Sequence, residues 1–218
     1  MNRRHIALGA LALPWLPAVC RAQGAAGGPD LSRYPVGPLP PDFLGSWRTG
    51  QGPPGDWRVV EDRTASHGKA IAQISADPTD YRFPLAVYQP LAAQDVEASV
   101  RFKAVEGRVD RAGGIAVRLR GPDDYYVARA NALEDNVNLY RVMGGRRQQI
   151  AGAQAKVSSA EWHTLTLRAE GDRFSVSFDG RQLITATDRT FAGSGKVALW
   201  TKADSVTRFD RLEIRSLR

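Results

Sequence analysis

Residues 161–183 read EWHTLTLRAEGDRFSVSFDGRQL. Side chains of alternating character run from Trp162 to Glu170 and again from Phe174 to Phe178, and Gly171-Asp172 forms a turn between them. Alternation with a period of two is typical of strands that bury one face. Asp179-Gly180 follows, and this pair favours a type I′ hairpin turn because both central residues need a positive φ. The stretch therefore predicts consecutive antiparallel strands joined by tight turns.

The same pattern continues on both sides of this stretch, with turn signals every ten residues or so. No long segment keeps the 3.6-residue apolar period of a helix. About a dozen short strands with hairpin connections predict an all-β fold in which two antiparallel sheets pack as a sandwich. The clearest strands are 96–104, 115–120, 125–131, 137–142, 146–150, 196–201 and 208–217. The predicted core holds Val96, Val100, Phe102, Leu165, Leu167, Phe174, Val176 and Phe178.

The N-terminus has the features of an export signal. Arg3 and Arg4 precede an apolar stretch, 6–19, that is too short to span a membrane, and a small-residue cleavage site ends at Ala22. The arginine pair resembles a twin-arginine signal, so this route and general secretion both stay open. The sequence predicts a periplasmic or secreted protein with a signal peptide at 1–22, a Gly/Pro-rich linker or lead-in strap at 23–42 and a β-sandwich domain at 43–218.

Composition excludes several classes of function. Cys20 is the only cysteine, and cleavage after Ala22 removes it, which excludes disulfides, thiolate metal sites and a cysteine nucleophile from the mature chain. The net charge is +7, and the leader carries three arginines and no acid, so the mature chain is +4. Its charges are interspersed in sign, whereas nucleic-acid binders show a basic patch or stripe. We therefore predict no nucleic-acid partner and no transmembrane segment.

Catalytic and metal motifs are sparse. His67 and His163 stand far apart without thiols, which argues against zinc, and His163 is interpreted as a hydrogen-bonded core or rim residue. No strand places two carboxylates at positions i and i+2 on one face, the spacing that a retaining glycosidase would need within a strand. We predict no cofactor. Glu134-Asp135-Asn136 offers oxygen ligands for calcium, although a plain polar turn explains the same residues.

Polar and aromatic residues gather on one predicted group of hairpins and on the strand that ends near residue 201. Flat aromatic rings with guanidinium and amide donors are the side chains that bind sugars. The alternative is that the arginines lie along a solvated sheet face and the tyrosines fill its rim. Strand parity places Arg129 and Asn131 on the face of Tyr125, with Tyr126 on the other. The candidate ligand-binding residues are Arg118, Arg129, Asn131, Asn136, Tyr140, Trp200 and Lys202.

Segments 161–167 and 174–183 resemble the laminin-G-like pattern of concanavalin A-like domains: a Trp-His strand, a turn, an alternating strand that ends in Asp-Gly, and a return strand. Segments 124–131 and 196–205 further resemble exported bacterial proteins of the lectin/glucanase superfamily, grouped with the 3-keto-disaccharide hydrolase-like domains. The resemblance implies a jelly-roll sandwich. It also implies an acidic strand where Arg129 and Asn131 stand here, and this departure argues against hydrolase activity.

Three functions follow as hypotheses. The first, favoured here, is a non-catalytic module that binds a carbohydrate or another cell-envelope ligand. The second is a glycoside or keto-sugar hydrolase or lyase, which rests on the family resemblance alone. The third is a structural module that binds only protein. The fold hosts all three, so they have to be distinguished at the site.

Overall fold

The protein is described here from a computed structural model that covers residues 26–217, so the predicted signal peptide at 1–22 lies outside the described residues. Within residues 26–217, one short 3₁₀ turn, Leu31–Arg33, accompanies sixteen strands. In chain order the strands are β1 (Ala26–Gly27), β2 (Gly37–Pro38), β3 (Phe43–Gly50), β4 (Trp57–Glu61), β5 (Lys69–Gln73), β6 (Arg82–Ala93), β7 (Val96–Glu106), β8 (Ala112–Gly121), β9 (Asp124–Asn131), β10 (Asn136–Met143), β11 (Arg146–Gln154), β12 (His163–Glu170), β13 (Arg173–Phe178), β14 (Arg181–Thr187), β15 (Gly195–Trp200) and β16 (Val206–Ser216).

The strands form two antiparallel sheets, which confirms the predicted all-β sandwich. The nine-stranded sheet has the order β14-β13-β12-β7-β16-β5-β4-β2, and β1 pairs with β16. The seven-stranded sheet has the order β11-β10-β9-β8-β15-β6-β3. All eight core residues predicted from the sequence are buried between the sheets. Among the described residues, no helix is long and apolar enough to cross a membrane.

The tight turns follow the sequence signals. Asp179 and Gly180 have φ values of 48° and 78°, which confirms the hairpin turn with two positive φ angles. Gly144 and Gly145 at the β10–β11 hairpin have φ values of 54° and 74°. The predicted pairing of β8 with β9 and of β9 with β10 is also present. These hairpins fix the register of the strands that carry the candidate site.

The Gly/Pro-rich segment lies along the nine-stranded sheet. Leu31 is buried in the core, and Gly37 pairs with Val59 of β4. At Gly28 a Cβ atom would lie 2.0 Å from the carbonyl oxygen of Leu212, so only glycine fits this close approach. Residues 26–42 therefore contact the sandwich, whereas the domain boundary between 42 and 43 stays a prediction.

The seven-stranded sheet carries a second apolar cluster on its outer face, the face that points away from the nine-stranded sheet. Strand parity explains this, because Tyr125 and Val127 point outward while Tyr126 and Ala128 point into the core. A sheet face that is apolar in the middle and polar at one end is a good support for a binding site. Besides Tyr125 and Val127, the outer cluster includes Phe83, Leu85, Val87, Ala116, Tyr140, Val142, Ala198 and Trp200.

Candidate functional site

A group of polar side chains surrounds Arg129 at one end of this outer face. Arg129 lies beside Gly114 of β8, where a Cβ atom would come within 3.1 Å of the Trp200 ring and 3.2 Å of the Arg129 Cβ. Glycine at position 114 therefore lets β9 and the Trp200 ring pack closely against β8. We call the group the Arg129 cluster; its members are Asp80, Asp110, Arg129, Asn131, Glu134, Asn136, Asn138, Tyr140 and Lys202.

Arg129 is only 3% exposed and most of its donors are in use. Its Nη1 donates to Asn136 Oδ1 at 2.9 Å, and its Nη2 donates to Glu134 Oε2 at 2.8 Å and to the Tyr140 hydroxyl at 3.1 Å. Asn138 donates to the same hydroxyl at 2.9 Å. The Nε group of Arg129 is buried and has no hydrogen-bond partner within the described part of the chain. A buried donor without an acceptor is costly, so the floor of the cluster keeps an unmet hydrogen-bonding capacity.

The second half of the cluster is an ion-pair chain across the end of the sheet. Lys202 Nζ lies 2.7 Å from Asp80 Oδ1 and 2.9 Å from Asp110 Oδ2. Asn131 donates to the other Asp110 oxygen at 2.9 Å. Asp204 fixes the loop that carries Asp110, because its carboxylate accepts the backbone N–H groups of residues 108, 109 and 110. The Asp110 carboxylate is therefore held in place from both sides.

Burial and pairing shift the pKa values in the cluster. Burial raises the pKa of Asp110 above its usual value, even though Lys202 opposes the shift. For Lys202, burial acts to lower the pKa, but the hydrogen bond to Asp80 and the Asp110 charge outweigh it and raise the pKa. For Glu134, burial is outweighed by hydrogen bonds from Arg129 and Asn136, so its pKa lies below the usual value.

The cluster has a buried floor and an accessible rim. Arg129 and Asp110 form the floor, whereas the side chains of Asp80 and Glu134 at the rim are 73% and 45% exposed. Carboxylates and amides accept hydrogen bonds, and the ammonium, guanidinium and amide groups donate them. The arrangement can therefore bind a neutral molecule whose hydroxyl groups both donate and accept.

Trp200, a candidate ligand-binding residue from the sequence, is not accessible to a ligand. Its ring is 0% exposed and stacks on Phe83, with centroids 5.4 Å apart. The Arg147 guanidinium covers this part of the outer face, with its Cζ 4.7 Å from the Phe83 ring centroid and 4.5 Å from that of Tyr140. Trp200 is covered because the β10–β11 hairpin bends over the outer face. The Tyr81 hydroxyl holds this hairpin by donating to the Gly145 carbonyl and accepting from the Arg147 backbone N–H.

Arg118 also does not lie in the binding site for which the sequence predicted it. Its φ of 51° and a register shift beyond Val117 mark an irregularity in β8 that turns the side chain away from the Arg129 cluster. The buried guanidinium instead donates to the carbonyl oxygens of Gln94, Phe191 and Gly171. Arg118 therefore joins loops at the other end of the sandwich and has a structural role.

The structure brings together five of the seven predicted site residues: Arg129, Asn131, Asn136, Tyr140 and Lys202. Asp80, Asp110 and Glu134 also belong to this site, although none of them was predicted from the sequence as a ligand-binding residue. Asp80 and Asp110 stand just before strands, and the pairing of Ala112 with Asn131 brings Asp110 to the end of β9. That pairing was predictable, but the position of Asp80 depends on β15 lying between β8 and β6, which no local signal reveals.

The other sequence-based candidates have protein partners. His163 is buried, and its Nδ1 lies 2.7 Å from Asp179 Oδ2, which agrees with a hydrogen-bonded core histidine. Asp135 accepts from the Val157 backbone and from Lys156, and calcium binding at 134–136 stays a prediction. Within residues 26–217, no group of three or more His, Cys, Asp or Glu side chains has an arrangement that could hold a metal ion.

Comparisons with known proteins agree with this architecture. The family model described as the galactocerebrosidase C-terminal lectin domain matches residues 95–217, which include all of the Arg129 cluster except Asp80. No curated protein matches the chain by sequence.

Three solved structures share the fold. A carbohydrate-binding module, CBM66 from Bacillus subtilis, is 22% identical with a TM-score of 0.62, covering 79% of this chain and 97% of that one. Domain 4 of AbnA, a GH43 extracellular arabinanase from Geobacillus stearothermophilus in complex with arabinotriose, is 13% identical with a TM-score of 0.54, covering 78% and 81%. A Bacillus subtilis protein of unknown function with a galectin-like fold is 13% identical with a TM-score of 0.50, covering 75% and 91%. At these identities the similarity shows the fold alone.

Proposed function

The chain belongs to the family of galactocerebrosidase C-terminal lectin domains, and from that premise we propose that it binds sugar units of a glycan, without catalysis, at the Arg129 cluster. The observation that carries the proposal is a fixed group of amide, hydroxyl and carboxylate side chains around the buried Arg129 guanidinium, with Asp80 and Glu134 accessible at its rim. Neighbouring hydroxyls of a sugar ring pair with such fixed donors and acceptors.

The charges favour a neutral sugar. Three carboxylates, those of Asp80, Asp110 and Glu134, accompany the two cations Arg129 and Lys202, and every one of the five takes part in an ion pair of the cluster. A ligand with a charged group would have to break one of these pairs, whereas hydroxyl groups can bind at the rim without doing so. The carbohydrate partner is thus proposed to contact Asp80, Glu134 and Asn136 first.

The same pairs argue against the hydrolase alternative. Glycoside hydrolysis needs one carboxyl group that protonates the leaving oxygen and a second that acts as nucleophile or base. Asp110 is covered by Asn131 and Lys202, and Glu134 is bound by Arg129. The third carboxylate, Asp80, is paired with Lys202. Because all three carboxyl groups of the cluster are held by protein partners, we propose a binding module rather than an enzyme.

An array of immobilised glycans tests this function. We expect the purified mature protein to bind at least one glycan that ends in a neutral sugar, to be displaced by the free sugar, and to release no product from it. Chromatography of the bound glycan after overnight incubation measures turnover. Release of a shorter glycan would establish the hydrolase alternative, and a complete lack of binding would favour a module that binds only protein.

Two finer assignments remain part of the proposal. Membership of the concanavalin A-like, laminin-G-like proteins, with their jelly-roll topology, is supported by the motif resemblance of segments 161–167 and 174–183. Export to the periplasm or the medium is supported by Arg3, Arg4 and the apolar stretch 6–19. We expect N-terminal sequencing of the protein from a bacterial periplasm to begin at Gln23, and a chain that keeps residues 1–22 and stays in the cytoplasm would contradict export.

A further inference from the structure

A cavity of about 530 Å³ lies beside the Arg129 cluster. Three chain segments contribute to both places. Ala76 and Pro78 line the cavity, and Asp80 follows on the same segment. Val109 and Arg111 line it on either side of Asp110, and Asp204 lines it two residues after Lys202. The cavity and the cluster are therefore neighbouring parts of one surface at this end of the sandwich.

The cavity has an apolar wall and a polar edge. Pro78, Val109 and Val206 contribute to the wall, and Val109 is one of the few large apolar side chains that are exposed. Arg111 lines the cavity and donates from Nη1 to Ser159 and from Nη2 to the Gly107 carbonyl. Its buried Nε has no hydrogen-bond partner among residues 26–217. Apolar contacts for the C–H surface of a ring and a few polar groups for its hydroxyls are typical of a sugar subsite.

We propose that this cavity is a second subsite, which takes the sugar that adjoins the one bound by the Arg129 cluster. The inference rests on the proposed function and adds to it that the ligand is an oligosaccharide rather than a single terminal sugar. The shared segments 76–80, 107–111 and 202–206 carry the argument, because each contributes residues to the cavity and to the cluster. A glycosidic link can then pass along the 107–111 loop from one subsite to the other.

Isothermal titration with sugars of increasing length tests the second subsite. The probes are arabinose and arabinotriose, galactose and galactotriose, and glucose and cellotriose, which cover one furanose and two pyranose series. In the series that binds, we expect the trisaccharide to bind about tenfold or more tightly than the monosaccharide, since a second occupied subsite adds contacts without a second cost of association. Equal affinity for the monosaccharide and the trisaccharide would overturn the second subsite.

Ala76→Trp tests the position of this subsite, because Ala76 is exposed, lines the cavity and makes no contact in the Arg129 cluster. We expect this variant to lose the gain from chain length and to keep the monosaccharide affinity within about twofold of wild type. Ala192→Trp, at an exposed position in the β14–β15 loop, is the matched control and should keep the full gain. Unchanged trisaccharide binding by Ala76→Trp would contradict the proposal.

The two proposals fail in different ways. Binding of monosaccharide and trisaccharide with equal affinity leaves the Arg129 cluster as the glycan site and removes only the second subsite. Absence of binding in every series, by a protein whose circular dichroism spectrum shows folded β structure, would overturn the proposed function and with it this inference. A trisaccharide gain that Ala76→Trp abolishes supports both.

Discussion

Replacement of Arg118 by alanine is expected to lower the free energy of unfolding by about 3–5 kcal/mol, the range for breaking a buried ion pair by removing one partner. The guanidinium is 1% exposed and donates to three backbone carbonyls, and it lies 3.3 Å from the Asp95 carboxylate. These carbonyl acceptors belong to three different loops. Loss of the guanidinium therefore leaves buried carbonyl oxygens without a donor at one end of the sandwich. Urea denaturation followed by tryptophan fluorescence measures the change.

Arg120→Ala is the matched control on the same strand. Arg120 is exposed, and its guanidinium covers the Phe191 ring, with Cζ 5.4 Å from the centroid. Such a contact is worth about 1 kcal/mol or less, so the control should unfold close to wild type. Equal unfolding midpoints for Arg118→Ala and wild type would show that the Arg118 network does not hold the loops together.

Replacement of Arg129 by methionine is expected to weaken glycan binding by about a hundredfold, because each lost hydrogen bond from a charged donor contributes about 1.5–3 kcal/mol. Methionine keeps much of the side-chain volume over the Tyr140 ring but has no donors. An arginine on a solvated sheet face would contribute little to stability. In the structure Arg129 is not such a residue, since the side chain is 3% exposed and makes three hydrogen bonds, and we expect a cost of about 1–3 kcal/mol.

Two further variants separate binding from folding. Arg181→Met removes an exposed arginine from β14 of the other sheet and should leave both affinity and stability unchanged. Glu134→Gln changes a rim residue that is 45% exposed, and it should weaken binding while the fold persists. If Arg129→Met and Glu134→Gln both bind the glycan as wild type does, the Arg129 cluster is not the binding site.

Much of the fold was predictable because the decisive signals are local. Asp179-Gly180 and Gly144-Gly145 specify their turns through positive φ, and alternation predicts which side chains of β7, β12 and β13 are buried. The pairing of β8, β9 and β10 follows from consecutive hairpins. Strand parity also placed Arg129 and Asn131 on the face of Tyr125, as the structure confirms.

The rest of the site depends on contacts that a sequence pattern does not record. Parity tells which face carries Trp200 but not that Arg147, from the edge of the sheet, covers that face. The irregularity at Arg118 turned a residue that was predicted to bind ligand into a buried residue at the other end of the sandwich. Asp80 precedes β6 and Lys202 follows β15. The two side chains meet only because β15 lies next to β6 in the sheet, and these strands are far apart in sequence.

The Gly/Pro-rich segment beside β4 affects whether copies of this protein can pair edge to edge. An edge strand with unpaired N–H and C=O groups is a template on which another chain can add a strand and begin an aggregate. Here the outermost strand is β2, only two residues long, and it lies in a segment with prolines at 35, 38, 40 and 41. Proline has no N–H to donate, so this side of the sheet offers an incoming strand an interrupted ladder. The Gly/Pro-rich segment thus protects the folded protein from polymerising through that edge.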